Sequence, residues 1–227
     1  MKIPLTKYGM PQVAVFPGLV VAAMLTIAIG GHYDVIRPGW VRGSEIVLAA
    51  VLVWVLAFFR DPERNVPADE SLLLSPADGR ISDITEVDEP ALGGTAIRIG
   101  IFLNIFNVHI NRAPCSVRIG KITYKEGEFK NACDPESARV NESNALEMQR
   151  TAQPADKLIV RQISGAIARR IVCATAEGDE LTQGRRFGMI KFGSRTELYL
   201  PARENASVQV QVGDKVKAGL TVLVKYE

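Results

Sequence analysis

At 227 residues the chain has room for one ordinary domain and an appendage. Its 27 basic and 25 acidic residues give a formal charge of +2 with no basic block, which argues against a nucleic-acid partner. Three scattered cysteines, Cys115, Cys133 and Cys173, have no CxxC spacing, so they fit reduced thiols in a cytosol-facing domain and not a disulfide framework or a zinc site.

The first sixty residues carry five basic and two acidic side chains, leaving 22 and 23 for the remainder. They contain two uncharged apolar runs, Val13–Gly30 and Ile46–Phe59, separated by the turn-forming stretch RPGWVRGSE. The first run is long enough to span a bilayer. The second has about fourteen strictly apolar residues, near ~21 Å as a helix, which is short of a ~30 Å hydrocarbon core. A transmembrane hairpin and a re-entrant anchor in one leaflet therefore both remain open. Lys2 and Lys7 before the runs, with Arg60 and Arg64 after them, favour a hairpin with both ends in the cytoplasm. A cleaved signal peptide is disfavoured, because a second apolar run follows the first.

RDPERNVPADE, residues 60–70, is charged, contains two prolines and reads as a linker, so a membrane anchor over 1–60 precedes a second domain over 61–227. Beyond it come short β-like stretches broken by turns: GRISDITEV, TAIRIGIFL, SVRIGKITYKEG, KLIVRQISG, RRIVCA, FGMIKF, TELYL and SVQVQVG. ESNALEMQRT reads equally as helix or strand. The pattern predicts a mainly β, sandwich- or barrel-like domain behind two hydrophobic membrane helices. VQVGDKVKAGLTVLVKY, with turns at Gly213-Asp214 and Ala218-Gly219, resembles the β hairpins of lipoyl and biotinyl carrier domains. It lacks the lysine-bearing turn that such carriers modify. The stretch 127–142 has no strand pattern and reads either as a loop covering a pocket or as a surface loop.

Near the C-terminus, KFGSRTELYLP places Gly193-Ser194 between two strand-like runs. A Gly-Ser pair is common in turns. A serine becomes a nucleophile only when a base takes its proton, and the chain has two histidines, His32 beside the first apolar run and His109 in FLNIFNVHINRAPC. Asp78, in SPADG, is a candidate carboxylate, although Asp-Gly is also a favoured hairpin turn.

Taken in order, SPADG around Asp78, FLNIFNVHINRAP around His109 and FGS around Ser194 resemble the phosphatidylserine decarboxylase proenzymes, in the short (archaeal-type) form, from about Pro67 to the C-terminus. The resemblance implies a self-processing carboxy-lyase acting on phosphatidylserine in the membrane, with no metal and no pyridoxal phosphate. Ser194 would attack the carbonyl of Gly193, and elimination would yield a β chain, 1–193, and an α chain, 194–227. The α chain would begin with a pyruvoyl group made from Ser194, whose ketone condenses with the substrate amine and takes up the charge that CO₂ leaves behind. Asp78 is expected to orient or charge-stabilise His109. Longer relatives carry a second histidine three residues on; here that position is Arg112, which cannot act as a base at neutral pH. Either His109 serves both cutting and decarboxylation, or cutting uses Asp78 with another group; we assign the base to His109. Arg112 is a candidate ligand of the lipid phosphate.

The implied partners are the lipid and the chain's own two products, with a higher dimer through exposed β edges in reserve. The implied location is the cell membrane, with the catalytic domain facing the cytoplasm. Two other readings compete. A membrane-tethered carrier or adaptor would stay uncut. A serine hydrolase would be expected to place Ser194 in a Gly-x-Ser-x-Gly elbow, which is missing here.

Overall fold

The computed structural model describes residues 4–130, 137–165, 170–191 and 194–227. Contacts divide the chain into a unit over Met1–Pro62 and a unit over Glu63–Glu227.

The N-terminal unit is a pair of helices, α1 (Gln12–His32) and α2 (Pro38–Phe58), each 21 residues long. At ~1.5 Å per residue each reaches about 31 Å, enough to cross a hydrocarbon core. The apolar run in the sequence understates α2. The helix starts eight residues before Ile46, where Arg37 is extended (ψ 139°) and Pro38 takes the first turn, a position that needs no N–H. Leu19, Leu25, Ile29, Val47 and Val53 are all exposed, the pattern of helices whose apolar faces meet lipid. At the open end of the hairpin, the Thr6 N–H donates to the Phe59 carbonyl at 2.9 Å and the Asp61 N–H to the Pro4 carbonyl at 2.7 Å. The basic residues Lys7 and Arg60 thus share one end.

The second unit is mainly β. Its strands are β1 (Leu72–Leu74), β2 (Gly79–Glu89), β3 (Gly94–Leu103), β4 (Ile110–Arg112), β5 (Val117–Lys125), β6 (Ser143–Arg150), β7 (Lys157–Ile163), β8 (Ile171–Cys173), β9 (Glu180–Leu181), β10 (Arg186–Ile190), β11 (Ser194–Pro201), β12 (Ala206–Val208), β13 (Lys215–Val216) and β14 (Val222–Tyr226). Eight form one curled, half-barrel-like sheet in the order β13-β2-β3-β11-β7-β6-β5-β9. Two three-stranded sheets, β1-β14-β12 and β4-β10-β8, complete it, and every pairing between these strands is antiparallel. The ambiguous ESNALEMQRT is strand β6, whereas SVQVQVG is strand only as far as Val208.

Alternation explains which way the sheet faces. Ile99, Ile101 and Leu103 of β3, Leu198 and Leu200 of β11, Leu158 and Val160 of β7, and Leu146 and Met148 of β6 all enter one core cluster. β11 is buried along nearly its whole length, so residues on both of its faces are covered. The inward row turns polar toward one end of the sheet, where Asn144, Gln162 and Thr196 stand side by side on β6, β7 and β11. That polar end positions the candidate site.

Candidate functional site

Ser194 is the first residue of β11 and lies opposite Leu103, the last residue of β3. Its side chain is fully buried, and among the described residues its Oγ has no hydrogen-bond partner. Gly193, the other half of the expected cut, lies outside the described residues, as does Cys133.

His109 reaches the same end by two routes. The turn that follows Leu103 is fixed by side-chain caps, Asn107 Oδ1 accepting from the Asn104 N–H at 2.9 Å and Asn104 Oδ1 from the Phe106 N–H at 2.8 Å. His109 follows directly, and its carbonyl accepts from the Ile190 N–H at 3.2 Å, four residues before Ser194. The imidazole is fully buried, with Nδ1 3.0 Å from the Asn107 carbonyl. A carbonyl only accepts, so Nδ1 carries the proton and Nε2 is the basic nitrogen of the neutral ring.

Asp78 precedes β2, whose Arg80 pairs with Phe102 of β3, as Arg195 does from the other side. The SPADG segment is pinned by the Arg112 N–H on the Pro76 carbonyl (3.0 Å) and the Gly219 N–H on the Ser75 carbonyl (2.8 Å). Gly79 is required by close approach and not by a turn: a Cβ there would stand 2.2 Å from the Phe102 carbonyl oxygen. The Asp78 carboxylate accepts from both Nη atoms of Arg64, at 2.7 and 2.9 Å, and from the Ala218 N–H at 2.8 Å. Arg64 also donates to the Ala218 carbonyl. These hydrogen bonds anchor the Asp78 carboxylate.

Arg112 is 4% exposed, with Nη1 donating to the Gly184 carbonyl at 3.1 Å, so a lipid phosphate would have to reach a guanidinium that solvent barely touches.

Besides the Arg64 contact, two features went unread in the sequence. Asn111 joins its own motif segment to SPADG and to β11: its Nδ2 donates to Thr196 Oγ1 on β11 (3.1 Å) and more weakly to the Pro76 carbonyl (3.4 Å). Its Oδ1 accepts from Gln162 Nε2 at 2.9 Å, and Gln162 Oε1 in turn accepts from Asn144 Nδ2 at 3.1 Å. Lys191, three residues before Ser194, is 3% exposed, and burial, with the Arg170 charge adding, pushes its ammonium below the ordinary range. A lysine so close to FGS was the only sequence signal for the second feature. Among the described residues no cluster of His, Cys, Asp or Glu side chains is placed to hold a metal ion.

A buried serine heading an interior strand, with the His109 segment bonded to the strand before it and the Asp78 segment leading into a strand of the same sheet, marks a candidate site inside a β domain. The model of the phosphatidylserine decarboxylase family matches residues 51–224. A phosphatidylserine decarboxylase proenzyme of Rhodopirellula baltica is 40% identical over 99% of this chain and 89% of its own. Those of Desulfotalea psychrophila (40% identical, 98% of this chain and 96% of its own) and Nitrosomonas eutropha (45% identical, 83% and 84%) are similar. The chain belongs to the phosphatidylserine decarboxylase family.

Proposed function

We propose that the chain converts phosphatidylserine to phosphatidylethanolamine and CO₂, using a pyruvoyl group made from its own Ser194. The observation that carries the reading is the burial of Ser194 at the head of β11, with no described partner for its Oγ, so its conversion breaks no described hydrogen bond. In cutting, Oγ adds to the Gly193 carbonyl while His109 Nε2 takes the hydroxyl proton, and the amide becomes an ester. Loss of the Cα proton breaks the Cβ–O bond, releasing the Gly193 carboxylate and leaving dehydroalanine. Addition of water and departure of ammonia leave the ketone.

When in place, the pyruvoyl group supplies the electron sink that decarboxylation requires. His109 then moves protons at Nε2, Asp78 holds negative charge at the sheet end through Arg64, and Arg112 is the candidate contact to the lipid phosphate. The two apolar helices keep the domain at the bilayer where the head group lies, and Lys7 and Arg60 at their shared end favour a cytoplasmic domain.

Intact-protein mass spectrometry on wild type and Ser194→Ala tests the reading. The wild type is expected as two chains, the smaller beginning at residue 194 with pyruvoyl mass and trapped onto an amine by cyanoborohydride. A Ser194→Ala protein that still appears as two chains sinks it.

A further inference from the structure

Arg195, the residue after Ser194, points to the opposite face of β11 and is 8% exposed. Its guanidinium is held on three sides: Nε donates to Glu197 Oε1 (2.9 Å), Nη1 to Ser82 Oγ (2.9 Å) and Nη2 to Asp83 Oδ2 (2.7 Å). Each acceptor is itself fixed. Asp83 also accepts from Arg98 Nη2 at 3.1 Å, and the fully buried Glu197 accepts from the Tyr199 hydroxyl at 2.7 Å.

Two backbone features make room for this arrangement. The pairing of β2 with β3 shifts register between Ile81 and Asp83, a bulge that turns both Ser82 and Asp83 toward the guanidinium. Beneath it on β3 lies Gly100, where a Cβ would stand 2.4 Å from both Arg195 Nη2 and Asp83 Oδ2. Any other residue there would push the pair apart.

Resting on the function proposed above, we infer that this clasp is a positioning device for the new N-terminus of the α chain. Cutting turns position 194 into a chain end, and chain ends fray. Among the described residues, pairing to β7 starts at Arg195, so residue 194 has Leu103 as its strand partner on one side only. Locking residue 195 from the far face keeps the end of β11, where the ketone would stand, in register. Orientation at this scale governs rate, because a misplacement near 1 Å costs on the order of 100-fold.

The test uses the full chain in detergent or nanodiscs, with Arg195→Met, Arg195→Lys and Gly100→Ala beside wild type. Three quantities are read: pyruvoyl content of the α chain by intact mass, hydrogen exchange of the amides of residues 195–197, and kcat and KM per pyruvoyl-bearing chain. Arg195→Met and Gly100→Ala are expected to speed exchange at those amides and lower kcat by about 10-fold or more, with KM nearly unchanged. Arg195→Lys should fall between, and Gly100→Ala should add little on top of Arg195→Met. Unchanged exchange and unchanged kcat per pyruvoyl overturn the inference, whatever happens to melting temperature. Should every variant stay uncut while wild type is cut, the clasp belongs to the cutting step and the inference as stated is overturned. Wild type without pyruvoyl would instead overturn the proposed function, and the clasp with it.

Discussion

Arg64 grips Asp78 with both arms of its guanidinium, Nη1 to Oδ1 at 2.7 Å and Nη2 to Oδ2 at 2.9 Å, with both side chains largely buried. Arg64 belongs to the charged stretch that reads as a linker in the sequence. A residue of that stretch, which belongs to the second unit, therefore fixes the carboxylate of SPADG. Arg64→Gln would leave a buried carboxylate with one backbone donor, a loss of about 3–5 kcal/mol when one partner of a buried pair is removed. Denaturant unfolding in an uncut Ser194→Ala background should report that loss, and the rate of cutting in the Ser194 protein should fall with it. Arg64→Lys should recover only part, since an ammonium lacks the fork. Cutting at the wild-type rate in Arg64→Gln would show that Asp78 needs no partner.

The amide chain Asn144–Gln162–Asn111–Thr196 carries a second prediction. Each link is buried, so removing one leaves its neighbours with unmet donors or acceptors, at about 1–3 kcal/mol. Asn111→Ala breaks the chain at the link that also reaches Pro76 and β11. It is expected to lower stability by that amount and to slow cutting. Exposed Gln209, whose side-chain amide donates to Ser207, is the control and should show neither effect. Normal cutting in an Asn111→Ala protein that is destabilised would restrict the chain to a role in folding.

How much of this was legible depends on what faced inward. TAIRIGIFL reads as a strand because Ile99, Ile101 and Leu103 are apolar and alternate. ESNALEMQRT stayed open between helix and strand, because Asn144 faces inward too, paired with Gln162, and an inward amide looks like a surface residue in sequence. The order β3-β11-β7 was out of reach for another reason. It pairs Ala96 with Pro201, and no local pattern encodes a partner a hundred residues away. Ser194, His109 and Asp78 were proposed through motif resemblance, and their roles rest on that resemblance. Arg64 and Asn111 were missed because their roles exist only in the folded contacts.

Burial pushes the Cys115 thiol up to about 12, against the opposing pull of Arg150. Cys173 is only half-buried, with Sγ 3.6 Å from the Thr175 carbonyl. Since the thiolate is the reactive form, iodoacetamide at pH 8 should modify Cys173 in the folded protein and leave Cys115 untouched until it unfolds. Peptide mapping of the labelled sites checks this. Labelling of Cys115 as fast as Cys173 under native conditions would contradict the burial assigned to it.

The last prediction concerns acid. Burial works to raise the Asp83 carboxyl, but the Ser82 hydroxyl and the Arg195 and Arg98 guanidinia outweigh it and hold it below its ordinary 3.8. A carboxylate depressed in the folded state contributes stability that is fully present above the unfolded value. That contribution disappears as pH falls through the lower folded value. Asp83→Asn should therefore be less stable than its parent at neutral pH, and the difference should close on acidification below about pH 4. Urea midpoints between neutral and acidic pH, in a Ser194→Ala background so that every molecule is uncut, measure that difference. A gap that persists unchanged into strong acid would mean that Asp83 acts through shape and not through charge. The Arg195 clasp would then owe its hold to Glu197 and Ser82.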